Sequence, residues 1–507
     1  MHSPILPVLI PFFAAIVLLT GKGGICLQRS ISALAMALLL FAAGHLLWLT
    51  DSGAPLSYTL GDWMPPFGIT LVADRLSALG VIITAVLATA ALLYASSGYD
   101  LEGRHFHAIF HLQLVGINGA FLTGDVFNLF VFFEIMLLAS YILLVHGHGL
   151  QKSRANFAYV TLNLAGSAVF LIALGLIYGT LGTLNLADIA LQLQQIDAGR
   201  SALVRTAGAL LIAVFALKAA LLPLSFWLPA AYTAASPAVA ALFAIMTKVG
   251  IVAILRVQHI AFASAPTMHG LIGDWMVVAA LATIIVATLG VLSSKRLQAL
   301  ISWLVLGSAG LLLVVPAQGD ALVTAAALYY LTQSAIVGAA FFMLSGIIHN
   351  ARPQGGDALL RAERIRSISL QIGFFLLAAA AAGLPPFSGF VGKLMLLSSL
   401  SQTSLAAPIW AVVLTTGLLT TVALAKAGSR LFWEKNASPA EKDAVPANDR
   451  LQYAATYILI AASLLLVICA RPLSDLAQRT AGQLHDPAQY IGAVITDPAA
   501  IERTSRP

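Results

Sequence analysis

The chain has 507 residues, of which 60% are hydrophobic and only 9% are charged, and its mean hydropathy is +0.92. A soluble domain carries about 25% charged residues, so this composition excludes a soluble enzyme, a nucleic-acid-binding protein and a disordered chain. Apolar runs of about 20 residues recur along the chain, which predicts an all-α polytopic membrane protein. The formal net charge of +6 is typical of a membrane protein whose cytoplasmic loops are rich in lysine and arginine.

Apolar segments predict about fourteen spans. Their approximate limits are 3–20, 30–50, 70–97, 106–123, 126–146, 156–179, 203–222, 237–258, 274–293, 299–315, 321–348, 367–398, 408–430 and 452–470. The first segment has no basic start and no small-residue cleavage site, so we expect it to be a retained span. The segments at 67–97 and 367–398 are longer than a bilayer requires, so they must tilt, break or carry interfacial ends.

The charges of the loops predict the orientation. If the N-terminus lies outside, most loop lysines and arginines, such as Arg104, Lys152 and Lys295, fall on the inner side. The positive-inside rule then places both termini outside. The longest polar stretches, 352–366 and 434–450, become cytoplasmic loops.

Smaller features remain open at this stage. The outer segment 184–199 is either an amphipathic helix at the interface or an ordinary connecting helix. Asp74 and Arg75 are expected to form a local ion pair. Asp125 either caps the fifth span or forms the mouth of a proton path. His107 and His111 have the spacing of a metal pair, but no third ligand lies near them.

The two cysteines, Cys26 and Cys469, are far apart in the sequence, so no iron–sulfur or zinc pattern exists. We therefore expect no metal and no cofactor.

Five ionisable residues lie where the bilayer should be: Glu134, Lys218, Lys248, Lys393 and Lys426. A charge at a helix centre costs at least about 2.5–3.5 kcal/mol, so each needs a partner or a function. Static ion pairs are one interpretation, but one glutamate cannot neutralise the three lysines at 218, 248 and 393. Desolvation favours the neutral form of lysine, which allows proton exchange. The lysine at position 426 lies near the inner boundary and could instead extend to the interface.

Two spans are interrupted by proline beside a lysine: Pro223 and Pro229 follow Lys218, and Pro385 and Pro386 precede Lys393. Proline removes a backbone donor, and the freed carbonyls are tolerated only next to protein or a wet cavity. Paired broken helices predict an inverted repeat with its ion path at the breaks.

A weak sequence repeat supports this prediction, because Tyr159-Val-Thr-Leu-Asn163 and Tyr329-Tyr-Leu-Thr-Gln333 are 170 residues apart. We expect two inverted five-helix repeats, at 106–258 and 259–430. They follow three N-terminal helices within 1–105, and a loop, a last helix and a tail complete the chain at 431–507.

The longest motifs resemble the antiporter-like subunits shared by Mrp-type cation/proton antiporters, respiratory complex I and membrane-bound hydrogenases. They are GDVFNLFVFFE at 124–134, Lys218 followed by LPLSFWLPAAYTAASP at 222–237, MTKVG at 246–250 and GLPPFSGFVGK at 383–393. The run GDVFNLFVFFEIMLLASY and the end AGSRLFW at 427–433 most resemble the D-type component of the Mrp antiporters.

This resemblance implies a role for each buried charge. Glu134 and Lys218 would be the coupled acid–base pair of the first half-channel, Lys248 the central relay residue and Lys393 the second broken-helix lysine. Relatives often carry a histidine or lysine along the eleventh span. Here that span offers Gln333 and Ser334, so either water bridges Lys248 and Lys393 or the second half is weakly coupled.

Other candidate members of the relay or of its mouth are Asp125, His349 at the inner end of the eleventh span, and Lys426.

The resemblance also implies a function. The chain would be a secondary-transporter subunit, not an enzyme, in a bacterial inner membrane. It would move H⁺ in exchange for Na⁺ or K⁺ with A-, B-, C-, E-, F- and G-type partner subunits, and without nucleic acid. The alternative is a proton-pumping subunit of complex I or of a membrane hydrogenase. A purely structural membrane anchor is a third interpretation, but four buried titratable groups argue against it.

Overall fold

The computed structural model describes residues 2–21, 23–147, 149–263, 265–352, 355–359, 365–433 and 450–495. The described residues form twenty α-helices and one two-stranded antiparallel sheet. Most of the second predicted cytoplasmic loop, and the C-terminal tail from residue 496, lie outside the described residues.

The helices account for most of the described chain. They are α1 Leu6–Thr20, α2 Ile25–Asp51, α3 Arg75–Ala95, α4 Phe106–Leu122, α5 Val126–Val145, α6 Leu150–Leu181, α7 Leu186–Gln192, α8 Ala198–Lys218, α9 Trp227–Ala234, α10 Pro237–Phe243, α11 Met246–Arg256, α12 Asp274–Ser293, α13 Leu297–Leu313, α14 Ala321–Asn350, α15 Ile368–Ala382, α16 Ser388–Ser399, α17 Ala406–Phe432, α18 Arg450–Ile468, α19 Ala470–Leu484 and α20 Pro487–Val494. A π-helical stretch, Val257–Ala261, continues α11. The strands are β1 Leu56–Thr59 and β2 Thr70–Ala73, with Leu56 opposite Ala73.

Twelve helical stretches of the described chain are long and apolar enough to cross a membrane, and the shorter apolar helices α4 and α15 add two more. Each of the fourteen predicted segments overlaps one of these spans. The predicted class, an all-α polytopic membrane protein with about fourteen spans, is therefore confirmed.

The structure differs from the sequence prediction at three places. The predicted span at 70–97 begins with strand β2, because pairing with β1 satisfies the backbone there before α3 starts at Arg75. The predicted span at 237–258 is divided into α10 and α11, with an interruption at Ala244 and Ile245. The sequence patterns also did not predict α19 and α20. Helix α19 packs on α3 and α14, and α20 packs on α7 and the π-helical stretch.

The outer segment that the sequence left open forms the short helix α7. Asn185 caps it by accepting a hydrogen bond from the Ala187 amide at 3.0 Å. Leu186 and Ile189 are buried, and the helix packs against the π-helical stretch and α20. This arrangement favours the interpretation as a connecting helix that is covered by protein.

Helices begin and end where the sequence supplies caps. The carboxylates of Asp74, Asp125 and Asp320 accept hydrogen bonds from backbone amides at the starts of α3, α5 and α14. Gly182 and Gly383 take the left-handed conformation directly after α6 and α15, which glycine adopts at little cost. These caps matter because lipid offers no partners to free backbone groups.

The two predicted repeats share one packing scheme. In the first, α4 packs on α5, α5 on α6, α6 on α8 and α9, and α8 on α11. In the second, α12 packs on α13, α13 on α14, α14 on α15 and α16, and α15 on α17. Since each repeat contains five spans, an odd number, the second would enter the membrane from the opposite side to the first, in agreement with an inverted repeat.

The expected local ion pair between Asp74 and Arg75 is wrong. Asp74 accepts a hydrogen bond at 3.0 Å from Arg256, at the end of α11, and both side chains are buried. Arg75 instead lies 3.5 Å from Asp51 of α2. The sequence could not reveal a pair whose members are 182 residues apart, and this pair fixes α3 to α11 at the predicted outer end.

A second ion cluster joins helices at the predicted inner end. Arg29 of α2 donates two hydrogen bonds to Asp100, at 2.7 and 2.8 Å, and the His107 ring lies 3.2 Å from the same carboxylate. Burial alone would raise the pKa of Asp100, but the hydrogen bonds from Arg29 and His107 lower this pKa to about 2. The histidine pair that the sequence singled out is therefore half engaged in an ion cluster.

We expect Asp100→Asn to destabilise the purified protein by roughly 2 kcal/mol near neutral pH, because the pKa of Asp100 is lowered in the folded state. A lowered carboxylate pKa contributes stability above about pH 4, and this contribution is lost as the pH falls towards 2. Thermal unfolding in detergent at several pH values would show a smaller loss of stability on acidification for the variant than for the unmodified protein. Asp475→Asn, at an exposed position of α19, is the control, and identical pH curves for all three proteins would contradict the prediction.

Candidate functional site

The four predicted relay residues lie on four different spans. Glu134 lies in α5, Lys218 is the last residue of α8, Lys248 lies in α11 and Lys393 in α16. Lys218 and Lys248 are 4% and 0% exposed, whereas Glu134 and Lys393 are half-buried. At bilayer depth each of these groups requires hydrogen-bonding partners.

Helix α6 connects the acid and the lysine of the first half. The Ser167 hydroxyl contacts the Glu134 carboxylate and lies 3.0 Å from the Asn163 carbonyl oxygen. The Lys218 ammonium donates to the Asn163 side-chain oxygen at 3.3 Å and to its carbonyl oxygen at 3.5 Å. Between Glu134 and Lys218, both of which the structure describes, there is no direct ion pair. Two α6 residues one turn apart thus form a hydrogen-bonded chain between them.

The helix after Lys218 is broken at the predicted place. The Leu221 amide bonds to the Ala216 carbonyl at 2.8 Å, and the Leu222 amide bonds to the Thr283 hydroxyl of α12 at 2.9 Å. Pro223 supplies no amide, so the helical ladder cannot continue. Pro229 lies in the first turn of α9, where a backbone amide has no helical partner in any case. Pro223 is thus the proline inside this break.

The second break shows why a lysine lies beside it. Pro385 and Pro386 cannot donate the hydrogen bonds that the carbonyls of Ala381 and Ala382 would accept in a continuous helix. The Lys393 ammonium donates to these two carbonyl oxygens, at 3.4 and 2.8 Å. The lysine therefore replaces the amide donors that the two prolines removed.

Gln333 completes the second break from α14. The Leu384 amide bonds to the Ala379 carbonyl, and the Gln333 side-chain amide donates to the Ala380 carbonyl at 3.3 Å. Gln333 occupies the position in the repeat that Asn163 has in the first half. The Asn163 side chain accepts a hydrogen bond from the lysine at the first break, and the Gln333 side chain donates one to a carbonyl at the second. Ser334 differs, since its hydroxyl donates to the Leu331 carbonyl of its own helix.

Lys248 contacts a helix that the sequence did not single out. Its ammonium donates to the Ser308 hydroxyl of α13 at 3.2 Å. Ser308 and Lys393 both line a cavity of ≈ 60 Å³. One water molecule requires about 10–15 Å³ of cavity volume, so this cavity has room for several water molecules. The predicted gap between the two lysines is thus bounded by α13 and contains space for water.

The remaining candidates lie at the edges of the bundle. Asp125 caps α5 at the predicted outer end, and burial raises the pKa of its carboxyl to about 6 although backbone amides stabilise the charged form. The His349 ring is 57% exposed and lies 3.6 Å from Asp357 at the predicted inner end. Lys426 is exposed on α17, which fits extension to the interface. Of these three residues, Asp125 alone has a buried side chain.

Sequence reasoning missed Asn163, Ser167 and Ser308 as members of the site. The repeat of Tyr159-Val-Thr-Leu-Asn163 at 329–333 was a usable signal for the first of these. The two serines carry no such signal, because a serine in an apolar span is common and its partners become visible only in three dimensions. The described residues contain no group of three or more side chains that could hold a metal ion.

The chain is similar to known antiporter subunits over its whole length. A family described as NADH:quinone oxidoreductase/Mrp antiporter, transmembrane, matches residues 123–420. The D-type subunit of a probable K⁺/H⁺ antiporter from Rhizobium meliloti (strain 1021) is 38% identical over 98% of both chains. The D-type subunit of the Na⁺/H⁺ antiporter from Alkalihalophilus pseudofirmus is 33% identical over 97% of this chain and 99% of its own.

A solved structure agrees with this similarity. A chain of the Mrp complex from Dietzia sp. DQ12-45-1b superposes with a TM-score of 0.86 at 27% identity, covering 98% of this chain and 100% of the other. The fold and the full-length similarity agree, and the chain belongs to the NADH:quinone oxidoreductase/Mrp antiporter transmembrane family.

Proposed function

We propose that this chain is the D-type subunit of a multisubunit monovalent cation/proton antiporter and that it translocates protons. The observation that carries the proposal is the hydrogen-bonded chain from Glu134 through Ser167 and Asn163 to Lys218. It connects a carboxylate to a lysine at a broken helix within the membrane, where ionisable groups are costly unless they have a function. The names of the two relatives, both D-type antiporter subunits, support the antiporter over the complex I alternative.

In this mechanism, the charge state of Glu134 controls how readily the Lys218 ammonium releases its proton. A carboxylate at Glu134 stabilises the Lys218 ammonium through the intervening hydrogen bonds and through its field, which is strong in a low-dielectric interior. When Glu134 takes up a proton, this stabilisation disappears and Lys218 more readily releases its own proton towards Lys248. The proton would then pass to Lys393 at the second break. The driving force would be the proton gradient, to which the membrane potential contributes about 2.3 kcal/mol per charge per 100 mV.

The exchanged cation would be Na⁺ or K⁺, since the named relatives include one of each kind. Partner subunits of A, B, C, E, F and G types would complete the complex in a bacterial inner membrane. The charge distribution of the loops supports an orientation with both termini outside.

Glu134→Gln and Lys218→Ala should each lower cation-dependent proton movement roughly a hundredfold, because each removes a group that must gain and lose a proton. The measurement is the pH change in everted vesicles that contain the whole complex. Glu102→Gln and Lys295→Ala, at exposed positions, are the matched controls. Near-normal transport by an assembled Glu134→Gln or Lys218→Ala complex would contradict the relay.

Asn163→Ala should lower the same transport about tenfold, because it removes one of the two oxygens that accept hydrogen bonds from the Lys218 ammonium. Thr161→Ala lies on the same helix at an exposed position and should have little effect. Equal transport by the two variants, at equal levels of assembled complex, would show that the α6 connection does not couple Glu134 to Lys218.

The two native cysteines test the orientation when each is replaced in turn, because the variant then retains a single cysteine. Cys26 and Cys469 are both exposed and lie at the predicted inner and outer ends. A membrane-impermeant maleimide added to intact cells should label the Cys26→Ser variant, which retains Cys469, and should not label the Cys469→Ser variant. In everted vesicles the pattern should reverse. The opposite pattern in both preparations would place both termini inside.

A further inference from the structure

Ser308 is a buried hydroxyl of α13 that lies between two lysines of the proposed relay. It donates a hydrogen bond to the Val305 carbonyl of its own helix at 2.7 Å and accepts one from the Lys248 ammonium at 3.2 Å. The same residue lines the cavity of ≈ 60 Å³ that Lys393 also lines. No other residue of the described chain donates to or accepts from the Lys248 ammonium in the structure.

The repeat gives Ser308 a counterpart in the first half. Tyr159 and Tyr329 are 170 residues apart, Lys218 and Lys393 are 175 apart, and Ser308 follows Glu134 by 174 residues. Helix α13 is the second span of its repeat, as α5 is of the first, and both pack on the central helix of their repeat, α14 or α6. Ser308 thus lies on the span of the second half that corresponds to the span of Glu134, about one helical turn from the equivalent position.

The walls of the cavity suit a short chain of water. Thr288, Thr416 and Thr420 line it together with Tyr330 and Trp303. The hydroxyls of Thr288 and Thr416 donate to carbonyls of their own helices, so their oxygen lone pairs are free to accept hydrogen bonds from water in the cavity. Water in a cavity of this size, with these hydroxyls in its wall, can bridge groups that do not touch.

We propose that Ser308 and water in this cavity form the proton connection from Lys248 to Lys393, in place of a titratable residue on α14. The inference rests on the proposed function. In each transfer, the Ser308 hydroxyl first turns from the Val305 carbonyl to a cavity water. The Lys248 ammonium then gives a proton to the Ser308 oxygen, while the Ser308 hydroxyl gives its own proton to that water. That water passes a proton to the neutral amine of Lys393. One proton moves from one lysine to the other, and Ser308 ends neutral and turns back to its first hydrogen bond.

The first test removes the hydroxyl. Ser308→Ala should lower cation-dependent proton movement in everted vesicles about tenfold, with the complex assembled normally on a native gel. Ser308→Thr keeps the hydroxyl and should restore transport to within about twofold of the unmodified complex. Ser302→Ala is the matched control, because Ser302 is a buried serine of the same helix. Its hydroxyl accepts a hydrogen bond from Thr233 and donates one to the Gln298 carbonyl, and it bonds to no lysine of the described chain.

The second test fills the cavity and leaves Ser308 in place. Gly307 lines the cavity, and a Cβ there would meet only the Ala287 side chain, at an ordinary 3.5 Å. Gly307→Ala should therefore be mild, and Gly307→Val should lower transport more strongly because it occupies the space for water. This series remains informative if Ser308→Ala fails to assemble.

The outcomes separate the two proposals. If Lys248→Ala abolishes transport while Ser308→Ala and Gly307→Val both behave like Ser302→Ala, the connection through Ser308 is wrong and the relay stands. A loss in Ser308→Ala that Ser308→Thr does not restore would also overturn the connection, since the hydroxyl would then not be the active group. If Lys248→Ala and Glu134→Gln both transport normally, the proposed function itself is wrong.

Discussion

The structure depends on how a helix broken inside a membrane satisfies its backbone. A carbonyl without a partner is costly where no water competes, and the two breaks in this chain create several. At the second break, the Lys393 ammonium donates to the two carbonyl oxygens freed by Pro385 and Pro386. A lysine ammonium in an apolar span lacks acceptors, and the two freed carbonyls lack donors. Because they bond to each other, neither group is left buried without a hydrogen-bonding partner.

In the proposed relay, this pairing would link protonation to conformation. An ammonium has three donors, and a neutral amine has fewer and weaker ones. Release of a proton by Lys393 would weaken its hydrogen bonds to the freed carbonyls, and the end of α15 would become easier to rearrange. Proton transfer would then be coupled to a local change of the backbone. Lys218 lies at the corresponding place, but it is held by the Asn163 side chain and carbonyl of α6.

Much of this arrangement was predictable from the sequence. The span count follows from hydropathy, and the breaks follow from Pro223, Pro385 and Pro386, because proline acts locally. The buried charges stood out because the chain has so few charged residues. Three features were not predictable, because each depends on which helices meet in three dimensions. They are the Asp74–Arg256 pair, the contact of Ser167 with Glu134 and the division of α10 from α11. The hairpin of β1 and β2 was hidden because its second strand is as apolar as a span.

The two halves use the same geometry with different chemistry. In the first half a carboxylate on the second span balances the lysine charge through α6. In the second half the corresponding span carries Ser308, whose hydroxyl can accept and donate a proton but holds no charge of its own. Lys248 and Lys393 therefore have no nearby carboxylate in the described chain to stabilise two ammonium groups at once. Each ammonium therefore depends on uncharged partners, which are the Ser308 hydroxyl for Lys248 and the carbonyls of Ala381 and Ala382 for Lys393. Dipoles of this kind stabilise a buried charge less than a carboxylate does, so the second half differs from the first in how its lysine charges are balanced.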